Sequence, residues 1–210
     1  MKIRVMMAVL TWAAMPATRP LFGQTPSLRV QVYDYANLEA ATLHHFLSLT
    51  QDILSETGIS VQVNLCQRNS ALPCKSAVDA PRILMITILA GDATHMSNSR
   101  RRALGQSSAD CNGGTFASVF LAPIRAQAAA ADIPWIIVLS YATAHEVGHL
   151  LLGTQGHTTR GLMKANWDRS DYVAMFQKRC HFTHEQALLL VRRYGSATTS
   201  SARLRADDSH

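Results

Sequence analysis

An apolar run ending in Ala144-His145-Glu146-Val147-Gly148-His149-Leu150-Leu151-Leu152-Gly153 restricts the fold more than any other part of this chain. Residues 132–152 are too apolar for a surface helix, yet they hold two histidines and a glutamate that are costly to bury unpartnered. Asp132-Ile133-Pro134 reads as the helix start, with Asp132 as N-cap and proline in the first turn. Gly153 reads as the stop. Four residues at 100° each return to within about 40° of the starting direction. His145 and His149 therefore project from one face, one turn apart, and can share a metal ion. Zn²⁺ suits imidazole ligands and keeps a position open for water. Glu146 lies beside that face, placed to accept a proton from a water activated by the metal. Tyr141, Ala144, Gly148 and Leu151 share a stripe on which the small pair Ala144 and Gly148 would let the helix pack close to a sheet.

Two ligands leave the ion under-coordinated. The candidates downstream are His157, Asp168 and Asp171. Gly153 can reverse the chain, which lets His157 swing back beneath the metal as a neutral nitrogen donor. An aspartate ligand would define a different class of site.

The rest of the chain reads as alternating strands and helices. Residues 28–35 and 59–65 alternate apolar and polar side chains and read as strands. Residues 38–57 repeat apolar positions near a helical period and end at Gly58. His44 and His45 fall on that helix as surface residues. Residues 82–90 are apolar and β-branched, as in a central strand. Residues 91–114 read as a long polar loop, 115–122 as a strand, and 154–182 as mostly irregular. Thr183-His184-Glu185-Gln186 fits a capping box opening a last helix, which gives His184 a helix-end role. This order reads as an α+β domain with a mixed sheet.

Composition supports one packed domain. Hydrophobic residues make up 48% of 210 and charged residues 16%, enough for a core and against wholesale disorder. Lys2 and Arg4 before an apolar run read as a signal segment over residues 1–24, followed by the domain at 25–195 and a disordered tail at 196–210. That implies a secreted or periplasmic protein. No segment after the signal reads as a membrane span. Arg100, Arg101 and Arg102 lack aromatic interleaving, so the chain is read as binding no nucleic acid. Four cysteines in an exported chain suggest two disulfides. Cys66 and Cys74 flank a short loop and pair by proximity, leaving Cys111 and Cys180 as the second pair.

With these residues in place, the sequence resembles the metzincin clan of zinc peptidases, whose motif is H-E-x-x-H-x-x-G-x-x-H followed by a methionine turn. His145, Glu146 and His149 match directly, and Gly161-Leu162-Met163 resembles the methionine turn. Glycine follows His149 by four residues rather than three, and His157 by eight rather than six. The stretch HEVGHLLLGTQGHTTRGLMKANW is also similar to a group of small exported bacterial proteins with this spaced motif, a similarity that includes GTFASVF and FTHEQA. The resemblance implies a twisted mixed sheet with two helices above a small irregular C-terminal subdomain. It implies one catalytic zinc on His145, His149 and His157, Glu146 as base, and Met163 as a floor under the imidazoles. It also implies an extended peptide or protein substrate lying along an edge strand, here Thr115, Phe116, Ala117, Ser118 and Val119. The expected function is a monomeric zinc metalloendopeptidase. The alternatives are a zinc amide hydrolase acting on cell-wall peptides and a zinc-stabilised binding protein without turnover, which the intact Glu146 speaks against.

Overall fold

The structure, a computed structural model, describes residues 28–66, 82–91, 103–154 and 156–195. The expected signal segment and tail, Cys74 and the arginine cluster lie outside the described residues. Strand β1 (Leu28–Asp34) leads through helix α1 (Ala40–Ser55) to β2 (Val61–Leu65), then β3 (Arg82–Leu89), β4 (Gly105–Asp110) and β5 (Gly113–Phe120). Four helices follow: α2 (Leu121–Ala131), α3 (Trp135–Leu152), α4 (Arg169–Phe176) and α5 (His184–Tyr194). Among the described residues the result is a mixed α+β fold with a five-stranded sheet and five helices.

The sheet runs β2-β1-β3-β5-β4. β1 is parallel to both β2 and β3, β3 is parallel to β5, and only β4 is antiparallel. Alternation sends Leu28, Val30, Val32, Leu84, Ile86, Ile88, Ala117 and Val119 into the core, where α1 and α3 pack. On the opposite face the register partners Met85 and Phe116 are exposed. The β-branched segment at 82–90 forms the middle strand, as its composition implied.

Three elements depart from the sequence reading. β4 occupies part of the expected long loop. Residues 121–131 form α2, where proline sits in the first turn and an alanine-rich run follows, both favourable to a helix. Asp132 is therefore not the N-cap of α3; it closes α2 in the left-handed conformation at φ 57°, and Pro134 precedes α3. The third is α4, inside the segment expected to be irregular.

Helix α3 is long and apolar enough to cross a membrane by length and composition alone, contrary to the sequence reading. Here 78% of it is buried inside the protein, against the sheet, α1 and α2. The expected Cys111–Cys180 disulfide is not formed. Cys111 sits exposed in the β4–β5 turn, whereas Cys180 is buried between α4 and α5; both are free thiols. Cys66 is buried and is not a free thiol, while its expected partner Cys74 lies outside the described residues.

Candidate metal centre

His145 and His149 face the same side of α3, both buried, with their Nε2 atoms 3.1 Å apart. Gly153 then ends the helix at φ 87°, its N–H donating to the His149 carbonyl at 2.9 Å. A side chain at Gly153 would put its Cβ 2.6 Å from the Cys111 carbonyl oxygen, so glycine is required by both space and φ. The chain doubles back through Gly156, whose carbonyl accepts the Gln186 side-chain amide at 2.8 Å. His157 returns with its Nε2 3.0 Å from that of His149. The ligand atoms of all three histidines lie within 4.8 Å of one another.

The donor set fits a metal ion. Tetrahedral bonds of about 2.05 Å put adjacent nitrogens about 3.3 Å apart. His145 Nδ1 donates to the Leu162 carbonyl at 2.9 Å, which leaves the Nε2 lone pair of the neutral ring pointing at its neighbours. His149 Nδ1 lies 3.5 Å from the Gly153 carbonyl in the same sense. Lone pairs facing one another at these distances repel unless a cation lies between them. Burial pushes the His145 pKa down to about 4; its neighbours His149 and His157 push the same way, against the pull of the Leu162 hydrogen bond. Burial, with His157, also lowers the pKa of His149. Both rings are thereby held neutral, the form that ligates metal.

A turn below the histidines supplies the Leu162 carbonyl. Lys164 N–H closes it on the Gly161 carbonyl at 3.2 Å, and Leu162 N–H ties it to the His181 carbonyl at 2.8 Å. Met163 is fully buried and its carbonyl accepts Thr158 N–H at 3.0 Å, which joins the turn to the segment carrying His157. Gly148 does not face the sheet, as its stripe suggested. A Cβ there would collide with the Met163 sulfur and come within 3.0 Å of Phe182, so the glycine makes room for the methionine.

Asp168 and Asp171 are occupied elsewhere. Asp168 caps α4, and its carboxylate and that of Asp171 form a reciprocal capping box. Lys164 Nζ lies 2.6 Å from each. Neither joins the histidine cluster. Trp167, which the sequence reading passed over, donates Nε1–H to the Leu162 carbonyl at 3.1 Å and stacks edge-on to His145 at 5.4 Å. Its signal was only proximity to the methionine segment. His184 is exposed at the start of α5, where the Thr183–Gln186 capping box forms as expected.

Glu146 is buried beside the cluster. Burial raises its pKa to about 8, and a hydrogen bond from Ser107 works the other way. The histidines and Glu146 open on a cavity of about 640 Å³ walled by residues 103–107 of the β4 segment on one side and by Ala165, Asn166, Trp167 and Tyr172 on another. Residues 115–119 do not line it. From Phe116 to Val119 β5 is paired with β3 on one side and β4 on the other; the edge strand on this side of the sheet is β4. Thr115, Phe116, Ala117, Ser118 and Val119 therefore do not form the exposed edge expected of them. The polar sequence GQSSAD, without an apolar face, concealed the strand that does.

Fold and site together define a mixed α+β domain with three histidines positioned to hold a metal ion next to a buried glutamate. No family model matches the chain, and no curated protein matches it. Among solved structures the chain is similar to the crystal structure of metalloproteinase-II from Bacteroides fragilis, at TM-score 0.47 and 11% identity over 84% of this chain and 56% of that one. The chain thus spans a little over half the length of that protein.

Proposed function

We propose that this protein is an exported, monomeric, metzincin-like zinc endopeptidase, with His145, His149 and His157 as ligands and Glu146 as the base. The observation that carries the reading is the convergence of three imidazole nitrogens beside a buried carboxyl at the floor of an open cavity. Zinc bound there would supply a Lewis acid that polarises a carbonyl, acidifies water and favours the ionised form of Glu146. Glu146 takes the proton from the attacking water and delivers it to the departing amine nitrogen, a role suited to a carboxyl whose surroundings hold the proton more tightly than water does. β4 offers the edge along which an extended peptide adds antiparallel, through main-chain hydrogen bonds that carry affinity with little sequence preference. The Leu162 carbonyl fixes the His145 ring, and the buried Met163 would form the apolar floor beneath the metal.

The test is zinc-dependent cleavage of a quenched-fluorescent peptide library, lost with a chelator and restored by zinc. Glu146→Gln keeps the shape but cannot accept the proton, so zinc content is retained while turnover falls by about 10²–10⁴. Unchanged turnover in that variant removes Glu146 as the base.

A further inference from the structure

Strand β4 lies against the glutamate as closely as a strand can. An ideal Cβ on Gly105 would stand 2.6 Å from Glu146 Cγ, 2.7 Å from its Oε1 and 2.9 Å from its Cδ. Real Cβ atoms do not approach other heavy atoms that closely, so a Cβ at 105 would push the Glu146 side chain aside, and glycine leaves the space in which the carboxyl now sits. Residues 105 and 107 share one face of the strand, since side chains alternate. From that face Ser107 lies in reach of the same carboxyl and favours its ionised form. One residue makes room for the side chain of Glu146 and the other grips its end. Glu146 is 7% exposed. Both residues also line the cavity.

We propose that Gly105 and Ser107 are positioning residues for Glu146, so that the strand offered to the peptide is also the part that aims the base. This rests on the peptidase reading above. The position of β4 and the direction of the carboxyl are then one variable, and a peptide that straightens the edge also sets the base. Neither residue touches the reacting atoms; each acts through Glu146.

Four variants test this: Ser107→Ala, Ser107→Thr, Gly105→Ala, and Gly105→Ala combined with Glu146→Ala. Ser107→Ala lowers kcat on the quenched-fluorescent library about tenfold, the scale of a modestly misplaced group, with KM and zinc affinity within about twofold. Ser107→Thr keeps the hydroxyl and stays within about threefold of wild type. The structural contact is read without turnover, from urea unfolding of the zinc-loaded protein. Gly105→Ala lowers the midpoint when Glu146 is present and leaves it unchanged when Glu146→Ala has removed the side chain it strikes. Wild-type kcat in Ser107→Ala, an equal loss in the threonine variant, or equal midpoint shifts in both backgrounds overturns the proposal while the peptidase reading stands. Absence of zinc-dependent cleavage by the unsubstituted protein overturns that reading, and this proposal with it.

Discussion

Trp167 and His145 share one acceptor: the indole Nε1 and the imidazole Nδ1 stand 3.1 and 2.9 Å from the carbonyl oxygen of Leu162. The carbonyl fixes which His145 nitrogen carries the proton, and the indole fixes the carbonyl. A partner behind a ligand matters to a metal almost as much as the ligand itself. Trp167→Phe keeps the edge-on ring but removes the donor, so zinc affinity should fall by about tenfold. Competition with a chromophoric chelator measures it, and unchanged affinity would show that the indole only packs.

His157→Ala should cost more than about 100-fold in zinc affinity, beyond the upper end for losing a supporting group. Asp168→Ala should leave zinc binding intact and lower the urea midpoint, because it removes a helix cap. Zinc titration with urea unfolding separates the two. Zinc loss in the aspartate variant, with none in the histidine variant, refutes the ligand assignment.

The two free thiols should differ in reactivity. Cys111 is exposed. Burial raises the Cys180 thiol to about 12, with Asp171 adding to the shift and Lys164 opposing it. Iodoacetamide near neutral pH should label Cys111 in the native protein and Cys180 only after unfolding. Mass mapping that finds the two cysteines joined contradicts the structure.

Without metal, stability should fall on both the acid and the alkaline side of the histidine range. His145 titrates at about 4 when folded and ordinarily at 6.5, so between these values the unfolded chain binds more protons and stability falls as pH falls. His149 acts in the same direction. Glu146 is the reverse: folded at about 8 against an ordinary 4.5, it costs stability as pH rises between them. Below pH 6.5 the two histidines oppose the glutamate, and well above it the glutamate acts alone among the three. Urea unfolding of chelator-treated protein across this range tests both declines. Glu146→Gln should abolish the decline on the alkaline side, and its persistence there would count against this account.

The histidine pair and Glu146 were legible because a helix converts spacing directly into direction. His157 was legible because Gly153 marks where the chain must reverse, and Gly58, Thr183 and Gln186 punctuated their helices in the same way. What was not legible has separate causes. β4 is polar on both faces and flanked by a partner on one side only, so no alternation announced it. α2 lacks a clear apolar period because alanine fills so many of its positions. Asp168 and Asp171, set aside as ligands in favour of His157, stand at the three-residue spacing of a helix cap, a role their charge did not announce. The Cys111–Cys180 pairing came from parity, which contains no distance. Gly148 was assigned to the sheet because a stripe shows that a helix packs closely there, not what it packs against.

Gln186 joins two ends of the site's history. Its Oε1 accepts the Thr183 N–H and its amide donates to Gly156, the residue before His157. During synthesis all three histidines leave the ribosome well before residue 186 does. A chain whose last helix has not yet docked therefore possesses all three ligands while the loop that presents the third is still untethered, so presentation of the third ligand waits on the C-terminal helix.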